Sequence, residues 1–222
     1  MQDFILPISL LVLNYLAGSI SSAILLTKYV KKVDIRRIGH KTAGGSNVAQ
    51  NVGIFWGILV GAFDIFKGIP VLILAKYLEV DALWQGIIGV AAVAGHCWPI
   101  WFKLSGGRGI GVLLGVIVFL YPENAIYSLT IFIFSIIPSI VNRYTTYKIK
   151  LLGSPVITLI SLFVFIILSL LSPETADDLL SLLLLLLVII RRVTARLKEY
   201  RQRDAIKLFF SRLIFDNDDI II

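Results

Sequence analysis

Apolar residues run through this chain in long blocks separated by short polar stretches. Seven blocks can be drawn, at roughly 4–26, 53–76, 83–102, 109–121, 123–141, 152–172 and 178–190. A helix needs about 17–25 apolar residues to cross a bilayer's hydrocarbon core. Stretches such as 154–172 carry no charge at all and exceed an ordinary buried helix. The pattern predicts an all-α polytopic membrane protein of about seven transmembrane helices. The fourth and seventh blocks are short, and a tilt, a thinned bilayer or flanking polar turns would complete them. The first block has no basic leader and no cleavage site, so it reads as a retained span rather than a signal peptide.

The polar stretches orient these spans. Asp3 precedes the first, and Lys28, Lys31, Lys32, Arg36, Arg37 and Lys41 follow it. Glu79 and Asp81 follow the second, Lys103 and Arg108 the third, and Glu123 the fourth. Arg143, Lys148 and Lys150 follow the fifth, and Glu174, Asp177 and Asp178 the sixth. Basic and acidic loops alternate, which predicts an outside N-terminus and a cytoplasmic C-terminus in the cell's inner (plasma) membrane. Residues 1–190 form the seven-span domain in this reading. Residues 191–222 form a basic tail, with Arg191, Arg192, Arg196, Lys198, Arg201, Arg203, Lys207 and Arg212 beside Leu197, Tyr200, Ile206, Phe209, Phe210 and Leu213. That spacing fits an amphipathic helix on anionic headgroups, so membrane lipids are expected partners.

Composition agrees with the block pattern. Hydrophobic residues make up 58% and charged residues 16% of the 222 positions, against about 25% charged in soluble domains. The net charge of +7 sits in loops between spans and therefore gives no reason to expect a nucleic-acid partner. A single cysteine, Cys97, excludes an intrachain disulfide and cysteine-rich metal sites. No metal or cofactor is called for, and the oligomeric state is left open.

Two glycine-rich loops fall on the same predicted face of the membrane. The first is His40-Lys41-Thr42-Ala43-Gly44-Gly45-Ser46-Asn47; the second is Ser105-Gly106-Gly107-Arg108-Gly109. Glycine exposes backbone N–H groups, and a cation beside them makes a concave anion site. A phosphate wants several such donors and one or two cations within charge-assisted reach. Turn formation alone would also account for the first loop. In the second, three glycines around an arginine predict close backbone approach to a ligand with a bidentate guanidinium fork. Upstream, Gly95-His96-Cys97-Trp98-Pro99 brings an imidazole near the inner end of the third span. Asp64 and Lys67, one turn apart within the second span, can neutralise each other, although charges in a span are also functional candidates. Arg143, followed by Tyr144, Thr145 and Thr146, adds a cation and hydroxyls on the same predicted face.

At these residues the chain resembles the bacterial acyl-phosphate:glycerol-3-phosphate acyltransferase family of small seven-span enzymes. Gly18-Ser19-Ile20, Asp34-Ile35-Arg36 and Gly39 read like the approach to the family's first motif, and Gly44-Gly45-Ser46-Asn47-Val48 like part of that motif. Asp64-Ile65-Phe66-Lys67-Gly68 matches its Asp-x-x-Lys-Gly. Gly95-His96-Cys97-Trp98-Pro99, running on to Gly106-Gly107-Arg108-Gly109, is similar to its glycerol-phosphate-binding Gly-His-Cys-x-Pro and Gly-Gly-Lys-Gly. Departures are specific. His40-Lys41-Thr42 stands where the family has Ser-Gly-Asn, Gln50 where it has arginine, and Arg108 where it has lysine. Arg191-Arg192-Val193-Thr194-Ala195 stands in place of Arg-His-Arg-Glu-Asn.

The resemblance implies transfer of a fatty acyl group from acyl phosphate to glycerol 3-phosphate, giving lysophosphatidic acid for phospholipid biosynthesis. Carried over residue by residue, it implies a catalytic set of His40, Lys41, Thr42 and Arg108. Substrate binding would fall to Gly44, Gly45, Ser46, Asn47, His96, Gly106, Gly107, Gly109, Arg143 and Thr146. Arg108 and Lys41 would clamp the donor phosphate. His40, His96 or the departing phosphate itself could take the acceptor's proton. Two other readings compete: a catalytically impaired relative that binds lipid phosphate or a membrane partner, and a small transporter built on Asp64 and Lys67.

Overall fold

The computed structural model describes residues 4–39 and 41–122, together with Phe163, Ile167, Leu183, Leu186, Leu187, Ile190 and Arg191. Every regular element among them is helical. In order they are α1 (Ile5–Gly18), α2 (Ser22–Lys31), α3 (Gly45–Asn51), α4 (Ile54–Phe66), α5 (Ile69–Tyr77), α6 (Ala82–Cys97) and α7 (Ile110–Leu120). Single 3-10 turns occupy Ile35–Arg37 and Ile100–Phe102. The chain divides into two compact units, 1–120 and 121–222.

Three stretches are long and apolar enough to cross a membrane: Ile5–Lys31, Ile54–Tyr77 and Ala82–Phe102, of 27, 24 and 21 residues. They coincide with the first three sequence blocks. The first two are each broken once, so α1 with α2 and α4 with α5 make two spans rather than four. The fourth block is the shorter helix α7. The fifth block lies outside the described residues. Of the sixth, Phe163 and Ile167 are described and are helical and exposed. Leu183, Leu186 and Ile190 of the seventh are helical and exposed as well.

Helix directions in the first unit follow from close contacts. The Asn14 amide donates to the Ile88 carbonyl at 2.9 Å, and Gly18 packs on the Ala92 backbone four residues further along both helices. So α1 and α6 run parallel. Gly18 and Gly95 are where they touch. A Cβ on Gly18 would strike the Ala92 carbonyl, and one on Gly95 would strike the Tyr15 carbonyl. Small residues let backbones approach in lipid, where packing replaces the hydrophobic drive. Helix α7 runs back along α6, with Gly109 beside Cys97 and Gly89 beside Val116. Two parallel spans must be joined by one running the other way, and this returns residues 32–53 and 103–109 to the same end of the unit.

Breaks inside spans free backbone carbonyls that water would otherwise satisfy, and neighbouring side chains must take over. Here Lys67, at the break between α4 and α5, donates to the Ile20 carbonyl at 3.0 Å, in the break between α1 and α2. The two interruptions answer each other. Beneath the first loop, Ile24, Ile35, Ala43, Val48 and Val60 form a buried apolar cluster, with Ile38, Trp56 and Phe102 packed against it. Ile35 and Ala43 thus anchor an otherwise polar connection to the helices below.

Candidate functional site at the loop end of the spans

The two glycine-rich loops meet. Gly107 sits with the Nε2 end of the His96 ring and the Ala43 carbonyl both in the space where a Cβ would stand. One residue therefore touches the second loop's origin, the first loop and the third span together.

Asn47 organises the first loop. Its Nδ2 donates to the carbonyls of Ile35, Ile38 and Thr42 at 3.0–3.1 Å, and its Oδ1 accepts from Asn51 Nδ2 at 2.9 Å. The side chain is 1% exposed. The Ile35 and Ile38 carbonyls also accept from the N–H groups of Ile38 and Lys41 at 3.3 and 3.0 Å, so this one amide ties two turns and the Thr42 carbonyl to a single buried point and fixes the loop's course. Within that course Gly39 and Lys41 take positive φ of 54° each. Gly44 is extended at φ −149°, and Gly45 opens α3. Neither glycine of the pair takes a positive φ. Gly45 is small because its Cα lies against the Gly57 carbonyl and Gly61 of α4, while nothing crowds Gly44.

The second loop is held from two sides. Gly106 N–H donates to the Cys97 carbonyl at 3.3 Å and Gly107 N–H to the His96 carbonyl at 3.2 Å. These two amides cap the end of α6. Spacing alone did not show this work, which follows because a helix ending in a membrane protein must satisfy its last carbonyls. Gly109, at φ 83°, turns the chain into α7. On the other side stands Arg36, which the sequence marks only as a loop charge and as part of a motif. Its Nη1 donates to the carbonyls of Phe102 and Ser105, both at 2.9 Å. Those carbonyls bracket Lys103 and Leu104, two consecutive non-glycine residues at φ 57° and 53°. Asp34 aims the guanidinium, accepting from Nη2 at 2.7 Å and from Nε at 3.0 Å.

Below the junction lies a buried polar cluster. Lys67 Nζ is 2.8 Å from His96 Nδ1 and 3.2 Å from Asp64 Oδ1, and that oxygen is 3.5 Å from His96 Nδ1. Ser22 Oγ donates to Asp64 Oδ1 at 3.4 Å. Asp64, Lys67 and His96 are 4%, 8% and 6% exposed. The expected pairing of Asp64 with Lys67 is present, but the inclusion of His96, 29 residues beyond Lys67, was not legible. No periodicity links those positions; only the tertiary fold, which brings the α4–α5 break beside the end of α6, does.

The remaining candidates fall as follows. Lys41 and Ser46 are exposed, Thr42, Gly44, Gly45 and Arg108 half-buried, and Gly106, Gly107 and Gly109 buried. The loops so joined carry the cations Lys41 and Arg108 and the hydroxyls of Thr42 and Ser46. His40, Arg143 and Thr146 lie outside the described residues. Among the described residues, no three His, Cys, Asp or Glu side chains gather as metal ligands would.

A sequence model of the glycerol-3-phosphate acyltransferase family matches residues 8–202. The chain belongs to that family. Glycerol-3-phosphate acyltransferase 4 of Dehalococcoides mccartyi (strain CBDB1) is 38% identical over 117 residues, covering 53% of this chain and 50% of the relative. The enzymes of Prochlorococcus marinus (strain NATL1A) and Myxococcus xanthus (strain DK1622) are 35% and 38% identical, over 57% and 56% of this chain and 64% and 66% of theirs. The aligned stretch thus spans about half to two thirds of these relatives' length. Among solved structures, the glycerol 3-phosphate form of PlsY (YgiH), an integral membrane glycerol 3-phosphate acyltransferase, superposes with a TM-score of 0.69 at 26% identity, covering 84% of this chain and 88% of that one. Its lysophosphatidic acid form gives 0.67 at 24% identity, over 88% and 90%, and shares the fold. Membership in the glycerol-3-phosphate acyltransferase family accounts for the long apolar spans and for the motif positions that converge here.

Proposed function

We propose that this protein transfers a fatty acyl group from acyl phosphate to the hydroxyl of glycerol 3-phosphate, giving lysophosphatidic acid and phosphate at the inner face of the plasma membrane. The observation that carries the reading is the junction of Gly107, His96 and the Ala43 carbonyl, which unites the two cationic loops at one end of apolar spans. A phosphorylated acceptor arrives there from water and an acyl chain from lipid. Further support comes from family membership and from the solved relative in its glycerol 3-phosphate form. Seven spans, an outside N-terminus, a membrane domain over 1–190 and a surface-bound basic tail over 191–222 complete the proposal, on the loop charges.

The donor already carries a good leaving group, so no covalent enzyme nucleophile is required. The acceptor oxygen attacks the acyl carbonyl carbon, the carbon–oxygen bond to phosphate breaks, and the acceptor's proton passes to His40 or to the departing phosphate. Rate comes from register, since well-oriented intramolecular reactions gain roughly 7–11 kcal/mol over free encounter. Cations aimed at the leaving group add electrostatic stabilisation. Arg108 and Lys41 take that role, with Thr42 beside them. Ser46 and the loop backbone at Gly44, Gly45, Gly106, Gly107 and Gly109 shape the pocket, and Arg143 and Thr146 contribute from the third connection. Asn47 acts by holding the loop.

The test is direct. Purified protein incubated with acyl phosphate and labelled glycerol 3-phosphate yields labelled lysophosphatidic acid and free phosphate, and Arg108→Ala abolishes the yield with little loss of folded protein. No product from the wild type at high protein concentration favours the impaired relative. The transporter reading loses its motive, since Asp64 and Lys67 are partnered within the buried cluster.

A further inference from the structure

We infer that Lys67 locks His96 in the tautomer with its proton on Nε2, so that His96 is a hydrogen-bond donor positioning the loop junction and not the base of the reaction. The inference rests on the acyltransferase reading for its kinetic arm alone.

The donors and acceptors around Lys67 fix which atoms carry protons. Three groups lie within reach of Nζ: the Ile20 carbonyl at 3.0 Å, Asp64 Oδ1 at 3.2 Å and His96 Nδ1 at 2.8 Å. A carbonyl and a carboxylate only accept. A neutral amine could satisfy those two and accept from Nδ1–H; an ammonium donates to all three. Charge decides between them. Asp64 is buried in a span, where a lone ionised group costs on the order of 2.5–3.5 kcal/mol, so one positive partner is required. Lys67 and His96 stand almost equally near Asp64 Oδ1, at 3.2 and 3.5 Å. Lys67 Nζ is the nearer of the two and also faces the Ile20 carbonyl, so an ammonium there meets three acceptors at once. The proton is therefore assigned to Lys67, His96 is neutral, and its Nδ1 accepts.

A neutral imidazole carries one N–H, and the nitrogen opposite its acceptor must bear it. That nitrogen is Nε2, the end of the ring turned to Gly107 and the Ala43 carbonyl. The ring thus presents a fixed donor where the two loops meet. Its lone pair, the requirement for a base, is turned inward to Lys67. Other charged groups do not disturb this order. Asp64 faces the ring from α4 and Lys67 from the α4–α5 break, while Cys97 follows it in its own helix and Arg108 follows Gly107 in the loop.

The experiment uses the full chain in lipid bilayers with 15N-labelled histidine. The sequence has two histidines, and the signals missing from His96→Gln identify His96. At neutral pH the expected spectrum shows Nδ1 unprotonated and Nε2 protonated, and Lys67→Met releases that order. A protonated Nδ1, or an imidazolium with both nitrogens protonated, overturns the inference whatever the variants do. The kinetic arm separates donor from base. His96→Gln keeps an N–H donor near the Nε2 position and stays within about tenfold of wild-type kcat. His96→Asn keeps only the acceptor facing Lys67, and it falls further with a raised KM. A base would lose roughly 10²–10⁴-fold in both, which overturns the assignment. Absence of acyl transfer in the wild type would defeat the functional reading and leave the tautomer measurement standing.

Discussion

Removing the Arg36 side chain probes the joint between the two loops most sharply. Its guanidinium makes two hydrogen bonds of 2.9 Å to the Phe102 and Ser105 carbonyls and a forked pair to Asp34. A hydrogen bond to a charged group contributes about 1.5–3 kcal/mol, so the two carbonyl bonds would give roughly 3–6 kcal/mol if fully dry. Arg36 is 22% exposed, and water can replace part of what is lost, as it does at surface ion pairs. The working figure for Arg36→Ala is thus about 2–3 kcal/mol. A further penalty follows because Lys103 and Leu104 hold left-handed backbone angles that cost on the order of 1 kcal/mol each and persist only under constraint. Freed of Arg36, the turn relaxes and carries Gly106–Gly109 away from the Ala43 carbonyl. Thermal unfolding in detergent should show a lowered midpoint, and acyl-transfer kinetics a KM raised more than kcat falls. Arg36→Lys, with one point charge in place of a fork, recovers only part. An unchanged midpoint together with an unchanged KM for Arg36→Ala would refute the joint.

Acid should weaken the same joint. The Arg36 guanidinium holds the Asp34 carboxyl below the usual carboxylate range. A depressed folded value means stability that is present above the unfolded value, about 3.9, and is lost as pH falls through the folded one. Asp34→Asn should therefore flatten the acid limb of a melting-point profile, and an identical limb would count against it. Asn47→Ala removes three hydrogen bonds that tie the loop together and should cost about 2–4 kcal/mol, while Asn47→Asp, which cannot donate, should be worse; both are read by thermal unfolding. Gly107→Ala puts a methyl against the His96 ring and the Ala43 carbonyl. Overpacking of that kind costs about 1–3 kcal/mol, so the protein should fold with weakened acyl transfer; full kinetics in a folded variant would contradict the junction. Asp64→Asn alone should destabilise more than Asp64→Asn with Lys67→Met, because the single change leaves a buried ammonium without its counter-charge.

Much was legible before any coordinates. The three longest described apolar stretches sit where the block pattern put them, because a hydrocarbon solvent imposes length and polarity on each segment independently of the rest of the chain. The placement of both glycine-rich loops at one end of the unit also followed, since span count and direction are one-dimensional properties. The motif residues Gly106, Gly107, Gly109 and His96 stand out by spacing, but their structural work does not. Spacing treated the glycine amides as donors awaiting a ligand, whereas Gly106 and Gly107 bond to the carbonyls that end α6.

Sequence by itself determined that the chain is helical, membrane-crossing and armed with cationic loops, because each of those is a local matter of hydropathy, glycine and charge. Tertiary structure alone decided which polar groups answer one another. Arg36 reaches carbonyls 66 and 69 residues away, Lys67 joins the break at Ile20 to His96, and Asn47 gathers three carbonyls into one loop. Such partners are set by how helices pack and where their breaks coincide. In a membrane interior each polar group must find one, and the linear order of residues does not say which.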